Sequence, residues 1–423
     1  MLATVGTLGD LHPFVALGTR LARRGWQPVL AAAPEYAPVA HANGLEFAPM
    51  RPGREEVLRA LGIDAAELAR RVRRNPAFLF RELLFPQLGV ALEDAERAVR
   101  GSDLVLTSSL AWAARYAAER AGIAHAGAVL QPMMFLSAYD PPVFAFLPGL
   151  APVLRMLGPP SAARILRALQ RLVSAGTAPL RRLRRELGLP RIPGDPLFAG
   201  QFTGVATLAL YSRVLGALEP DHPPQTCIAG FQFYDADTAS AADAARVQAF
   251  LDSGPAPVVF ALGSFETADP GEFFSTSIAA AAALGQRAVL LAGEGAEGLR
   301  ARETRDVLAC AYVPYREVFP RACAVVHQGG IGTLAQCLRA GRPQLIVPCW
   351  ADQPDNAARI VRAGAGHALA RRRYRVARAT RALGAVLADT RCATTARTLA
   401  TTVHEESDSD AAAATLENAL SGR

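Results

Sequence analysis

Two successive series of short apolar, β-branched runs, separated by stretches whose apolar residues recur at helical spacing, restrict this chain to the α/β class. In the first series, runs at 2–5, 27–33, 103–107 and 124–130 alternate with helical stretches at 14–24, 76–100 and 111–121. The second begins near Thr226 and includes runs at 257–262, 287–291, 307–311, 324–327 and 344–348. Runs that are apolar along their whole length are buried on both faces, which predicts parallel sheets covered by helices. A chain of 423 residues exceeds what one core supports, so two Rossmann-like domains facing across a cleft are expected. Residues 216–225 have the proline and polar density of a linker. The first domain is therefore expected over 1–216, the linker over 217–225 and the second domain over 226–402, with a polar tail at 403–423 that either frays or returns to the first domain. The opening run at 2–5 is short for a central strand, and a few residues upstream would complete it.

The net charge of +7 is carried by arginine alone, because the chain contains no lysine. That excludes a G-x-x-x-x-G-K-[ST] phosphate loop outright. Arginine clusters at 70–74, 181–185 and 371–375 suit solvated helix faces, or contact with anionic lipid or phosphate. No nucleic-acid-binding signature accompanies them. No charge-free apolar run is long enough to span a membrane, so a cytoplasmic protein, at most peripheral to the inner membrane, is expected. The six cysteines are scattered without metal-ligand spacing, as expected of buried thiols in a reducing compartment.

The stretch His327-Gln-Gly-Gly-Ile-Gly-Thr333 joins a buried strand to a helix start. Glycines at 329, 330 and 332 let backbone approach an anion, and the first unpaired N–H groups of the helix point at it with the positive dipole end. This is a backbone cradle for a diphosphate, with His327 as an added hydrogen-bond donor. Asp352-Gln353 follows the run at 344–348, at a carboxyl end where ligands of open sheets bind.

The run from His327 to Asn356, with Gly341-Arg-Pro343, Pro348 and Asp352-Gln353, resembles the carboxy-terminal signature of glycosyltransferase family 1, the GT-B enzymes that use nucleotide sugars. The resemblance extends to Gly6–Pro13 and Gly230-Phe231, and so spans most of the chain. Ser109-Leu-Ala-Trp112, Leu136-Ser-Ala138 and Ala311-Tyr-Val-Pro314 are most similar to a bacterial subgroup, that of the rhamnosyltransferase of rhamnolipid synthesis. The resemblance implies inverting transfer of a hexose or deoxyhexose from a dTDP- or UDP-sugar to a hydroxyl of a lipophilic acceptor, without metal or cofactor. Hydroxyalkanoyl lipids, polyketide aglycones, carotenoids and sterols are the acceptors in view. The other readings are a nucleotide-binding partner protein without activity and a sugar-nucleotide epimerase.

By the same resemblance Asp10 occupies the catalytic position of the first strand-to-helix turn. His12 is its rival, since imidazole suits general base work near neutrality; Asp10 also suits a cap on a helix opening near Pro13. Gly263-Ser264 corresponds to a diphosphate contact, Tyr312-Val313 to the segment that cradles the base, and Asp352 with Gln353 to the sugar grip. Ala335-Gln336 stands where plant members place a ribose-binding glutamate, which tilts the donor toward dTDP. The proline-punctuated stretch 131–148, with Met133, Met134, Phe135 and Phe144, is a candidate acceptor wall or else filling between domains. Asp235-Ala-Asp237 matches the D-x-D of metal-dependent GT-A enzymes, but its polar setting reads as a turn.

Overall fold

The computed structural model describes residues 1–235 and 240–421. Seven strands form the first sheet: β1 (Leu2–Ala3), β2 (Val29–Ala32), β3 (Glu46–Pro49), β4 (Leu104–Ser108), β5 (Ala124–Val129), β6 (Thr207–Ala209) and β7 (Thr226–Ile228). Their order is β3-β2-β1-β4-β5-β6-β7. The second sheet contains β8 (Val258–Ala261), β9 (Ala288–Leu291), β10 (Val307–Cys310), β11 (Ala324–His327), β12 (Gln344–Ile346) and β13 (Gly366–Ala368), in the order β10-β9-β8-β11-β12-β13. Every pairing is parallel, and β4, β8, β9, β10, β11 and β12 are buried throughout, which is why they read as continuous apolar runs.

Both sheets reverse strand order at one point, β1|β4 in the first and β8|β11 in the second. The connections leaving β1, β8 and β11 therefore splay at switch points, where open α/β sheets leave a crevice. These connections contain Thr7–Asp10, Gly263-Ser264 and Gln328–Gly330.

Two boundaries differ from the sequence expectation, and the tail takes one of the two courses expected for it. Thr226 does not open the second domain: β7 pairs with β6 at the edge of the first sheet (Thr207↔Thr226). The proline-rich stretch before it is polar because it is anchored. Asp221 accepts hydrogen bonds from Ser137 Oγ (2.6 Å) and Ala138 N (2.7 Å), and Gln225 Nε2 donates to Phe202 O (2.8 Å). The tail is helical, Thr390–Asp408 followed by Ala411–Ser421, and the last helix buries Ala412, Ala413 and Leu416 in the core of the first domain. Arg20 donates to the carbonyls of Ser407 and Ser409, fixing the crossing. The long helix expected at 76–100 is divided into Leu79–Leu84 and Leu88–Ala98, because Pro86 lacks the N–H that a continuous helix requires.

All six cysteines are free thiols. Among the described residues, no helix is long and apolar enough to cross a membrane.

Candidate active site

A cavity of about 500 Å³ lies between the two sheets. Gly9, His12 and Pro13 border it from the first domain, and Gly263, Ser264, Tyr312, Val313, Gly332, Thr333 and Gln336 from the second. Its volume is within the usual range for a small-molecule site.

The first-domain wall is the start of the helix Leu8–Arg23. Thr7 is its N-cap and Asp10 stands at the third position of a capping box, so Asp10 caps the helix start by reaching back from inside it rather than as the N-cap residue. The helix opens five residues before Pro13, which lies within it and, lacking an N–H, leaves the Gly9 carbonyl without its helical partner. Asp10 Oδ2 accepts from Thr7 N (2.8 Å) and lies 3.4 Å from Thr7 Oγ1. Gly6, at φ +144°, makes this fold-back feasible, since a Cβ there would collide with the carboxylate. Asp10 keeps part of its surface accessible, but burial of the carboxyl pushes it up to about 6, against the opposing pull of Thr7. His12 borders the cavity with its ring 4.7 Å from that of Tyr234.

The second-domain wall is the helix Ile331–Arg339. Its N-cap, Gly330, has no side chain to cap it, so the N–H groups of Ile331, Gly332 and Thr333 have no intrahelical acceptor. A Cβ on Gly332 would lie 3.8 Å from Gly9 Cα, which brings this helix end within contact range of the Asp10 turn.

His327 does not play the role expected of it. The ring is fully buried, Nδ1 accepts from Gly329 N (3.0 Å) and Nε2 bonds Gln344 Oε1 (2.8 Å). With Nδ1 as acceptor, Nε2 carries the proton and is committed to Gln344, so no N–H is left for a phosphate. Burial drives its pKa down to about 4. His327 instead holds the strand end against the turn. Gly329, at φ +89°, is held between this bond and Ile346, whose Cγ2 would lie 2.7 Å from an added Cβ.

Gln328 was not singled out in the sequence, although it belongs to the turn. It is 4% exposed, and a Cβ on either Gly263 or Gly330 would collide with its Nε2. Its side chain thus fills the space beneath both glycine corners. Among the described residues its Oε1 has no hydrogen-bond partner.

The Asp352–Asn356 segment divides its tasks. Asp352 Oδ2 accepts from Asn356 Nδ2 (2.6 Å), and the same nitrogen is 2.9 Å from Gly329 O, tying the acid to the glycine turn. Burial raises Asp352 to about 6, and the charge of Asp10 across the cleft adds to the rise. Gln353 Oε1 accepts from Cys349 N (2.8 Å), leaving only its amide nitrogen for a ligand. Asp355, fully buried, accepts from Val143 N (2.9 Å) in the first domain and from Arg359 Nε (2.6 Å). Asn356 could have been found from its four-residue spacing from Asp352, whereas Gln344 had no local signal.

The expected acceptor wall is placed elsewhere. Phe135 stacks on His222 (4.2 Å) and Phe202 (5.1 Å), and Met134 packs with it against a cluster that includes Leu334 and Ala335. Phe144 packs on Ala138, Leu154, Ala162 and Leu166. Neither these residues nor Met133 borders the cavity, and Asp10, Asp352 and Gln353 also stand behind its lining rather than in it. The stretch instead joins the domains, with Asp140 pairing to Arg359 and Arg362. The apolar character of Met134 and Phe135 reflects inter-domain packing, and that of Phe144 a small core within the first domain.

The arginines at 70–74 are also used between domains. Arg73 bonds Glu266 Oε2 (3.1 Å) and Asp269, while Glu266, 2% exposed, accepts from the Trp350 indole as well. Asp235 is paired with Arg339 at 2.6 and 2.7 Å; Asp237 lies outside the described residues. One group among the described residues, His367, Asp389 and Cys392, has ligand atoms near enough to share a metal ion. It sits at the edge strand β13, where Asp389 already caps the helix Thr390–Asp408 through Cys392 N (3.0 Å).

Comparison with known proteins bears on the family and the fold. Residues 276–418 match the family model described as erythromycin biosynthesis protein CIII-like, C-terminal domain. The chain is 30% identical over 379 residues to glycosyltransferase GtfE of Amycolatopsis orientalis, covering 86% of this chain and 84% of that one. It is 30% identical over 375 residues to O-mycaminosyltylonolide 6-deoxyallosyltransferase of Streptomyces fradiae, covering 86% and 83%. Spinosyn rhamnosyltransferase SpnG, solved in complex with thymidine diphosphate, aligns over 99% of both chains with a TM-score of 0.66 at 20% identity. That enzyme has also been solved with spinosyn aglycone. The likeness establishes the GT-B architecture of two facing parallel sheets.

Proposed function

Since the chain belongs to the GT-B glycosyltransferase family of bacterial natural-product enzymes, we propose that it moves a hexose or deoxyhexose, L-rhamnose the first candidate, from a nucleoside diphosphate sugar to a hydroxyl of a lipophilic acceptor, inverting the anomeric centre. The observation that carries this reading is the uncapped start of Ile331–Arg339 set against the Asp10 turn across one cavity.

In this reading Asp10, with a pKa of about 6, is ionised near neutrality and takes the proton of the acceptor hydroxyl as its oxygen attacks the anomeric carbon. The bond to the diphosphate breaks on the opposite side. Charge developing on the leaving phosphate is met by the N–H groups of Ile331, Gly332 and Thr333 and by the positive helix end, with Ser264 beside them. These donors fill the cationic role, so the reaction is written without a metal. Tyr312 offers an aromatic face and Val313 backbone for the base, Gln336 faces the ribose, and Asp352 with the Gln353 amide grips sugar hydroxyls. His12 is then a wall residue beside the base.

Likeness to the rhamnolipid subgroup favours a hydroxyalkanoyl lipid as acceptor. A macrolide or other polyketide aglycone is the second reading, favoured by relatives whose names specify such substrates. Incubating the protein with dTDP-rhamnose or UDP-glucose, each with a 3-hydroxyalkanoyl lipid or a macrolide aglycone, tests the proposal by mass spectrometry of the product. A glycosylated product that persists in EDTA is expected. Failure of every donor with every acceptor would argue against it.

A further inference from the structure

Away from the cleft, one segment of the first domain has a distinct surface. From 141 to 185 the chain has eight arginines and neither aspartate nor glutamate. It contains the helices Leu150–Leu157 and Pro159–Ser174 and most of Ala178–Glu186, whose terminal glutamate pairs with Arg182. Ala138, Leu154, Ala162 and Leu166 close the small core beneath the first two. In Leu150–Leu157 only Ala151 and Leu154 are buried, so Val153, Met156 and Leu157 face outward. Met156 is 79% exposed, Phe146 just before this helix 69%, and Leu172 on the next 75%.

On Pro159–Ser174 the row away from buried Ala162 and Leu166 is Arg164, Arg167 and Arg171, at the three- and four-residue spacing that keeps side chains on one face. All three are exposed, and among the described residues none is in an ion pair. Large unpartnered apolar side chains on a surface mark a contact. Outward Met, Phe and Leu interspersed with arginine, and no carboxylate within Leu150–Leu157 or Pro159–Ser174, match the chemistry of helices that lie in a bilayer interface. Arginine stems extend along apolar surface while the guanidinium reaches phosphate.

We propose that Leu150–Leu157 and Pro159–Ser174 dock this protein on an anionic lipid bilayer. Phe146, Met156 and Leu172 enter the interface, and Arg164, Arg167 and Arg171 pair with lipid phosphates. The proposal is independent of which sugar or acceptor the cleft takes.

Co-sedimentation of the full chain with phosphatidylcholine vesicles, and with vesicles containing roughly one-third phosphatidylglycerol, tests it. Binding to the anionic vesicles only, weakened by salt, is expected. The triple change Arg164→Gln, Arg167→Gln and Arg171→Gln should lower partitioning about a hundredfold, each arginine contributing about fivefold. Met156→Asp should lower it at least about tenfold, with the thermal midpoint unmoved in both variants because these side chains are outside the core. No binding, equal binding to both vesicle types, or unchanged binding in the variants would overturn the proposal. So would concentration-dependent dimerisation, abolished by Met156→Asp without any lipid binding, which would assign the surface to a second copy of the chain.

Discussion

Replacing Asp10 by asparagine should make the protein more stable and remove its activity, and the stabilisation should depend on pH. Asp10 has a pKa of about 6 in the fold against about 3.9 for an unfolded aspartate, a gap corresponding to about 3 kcal/mol. The folded chain holds this proton more tightly than the unfolded chain. The destabilisation is therefore absent below about pH 4, grows between about 4 and 6, and is complete above that. Asparagine keeps an oxygen for Thr7 N but forfeits the charge-assisted part of the bond, about 1 kcal/mol. The net gain near pH 7.5 is about 2 kcal/mol, or about 4–8 °C in midpoint for a domain of this size. Thermal unfolding of wild type and Asp10→Asn at pH 7.5 and pH 4.5 reads it directly, with the advantage disappearing at the lower pH. In the same variant Asp352 should titrate lower, because the Asp10 charge helps to raise it. Transfer should fall by at least about a hundredfold with nucleotide affinity retained, and wild-type kcat/KM should climb to a plateau above pH ~6. A variant that transfers at the wild-type rate, or that is destabilised equally at both pH values, would refute the reasoning.

Other outcomes follow from the surrounding contacts. His327→Phe orphans Gly329 N–H and the Gln344 amide, so denaturant unfolding near neutral pH should show a loss of about 2–4 kcal/mol. Wild type should also lose about 3 kcal/mol as pH falls from about 6.5 to about 4, because the buried neutral ring must be charged on the way; the phenylalanine variant should lack that slope. Arg73→Ala leaves nearly buried Glu266 without its cation and should cost about 2 kcal/mol. Hydrogen exchange should then accelerate in both Ala65–Arg74 and Glu266–Ala268, and Arg73→Lys should restore part of the protection.

What could be read in advance follows local chemistry. The central strands were legible because burial on both faces makes them apolar throughout, and the glycine turn because an anion cradle needs glycine at the corner. β7 was misassigned because Asp221 and Gln225 give an anchored stretch the composition of a linker. The tail left fraying and return to the first domain both open, because alanines at 411–414 carry little hydrophobic signal of their own, although Ala412 and Ala413 lie in the first core. His327 is the instructive case, since its presence in the turn was plain but its orientation depends on Gln344, a residue from the neighbouring strand. Met134 and Phe135 show the same limit: an apolar loop has the composition of a binding wall whether it faces a cavity or another domain.

Titration of dTDP and UDP into wild type and Gly332→Asp tests the central claim most directly, that a diphosphate rests on the N–H groups of Ile331, Gly332 and Thr333. At a hundredfold excess over Kd, bound nucleotide should stabilise the wild type by about 2.7 kcal/mol. An aspartate at position 332 adds negative charge to the first helical turn, so the unliganded variant should be as stable as wild type or up to about 0.5 kcal/mol more stable. Its affinity for either nucleotide should be at least about tenfold weaker, because the same charge repels the diphosphate. Stabilisation of wild type by neither nucleotide, or undiminished binding by the variant, would contradict the account.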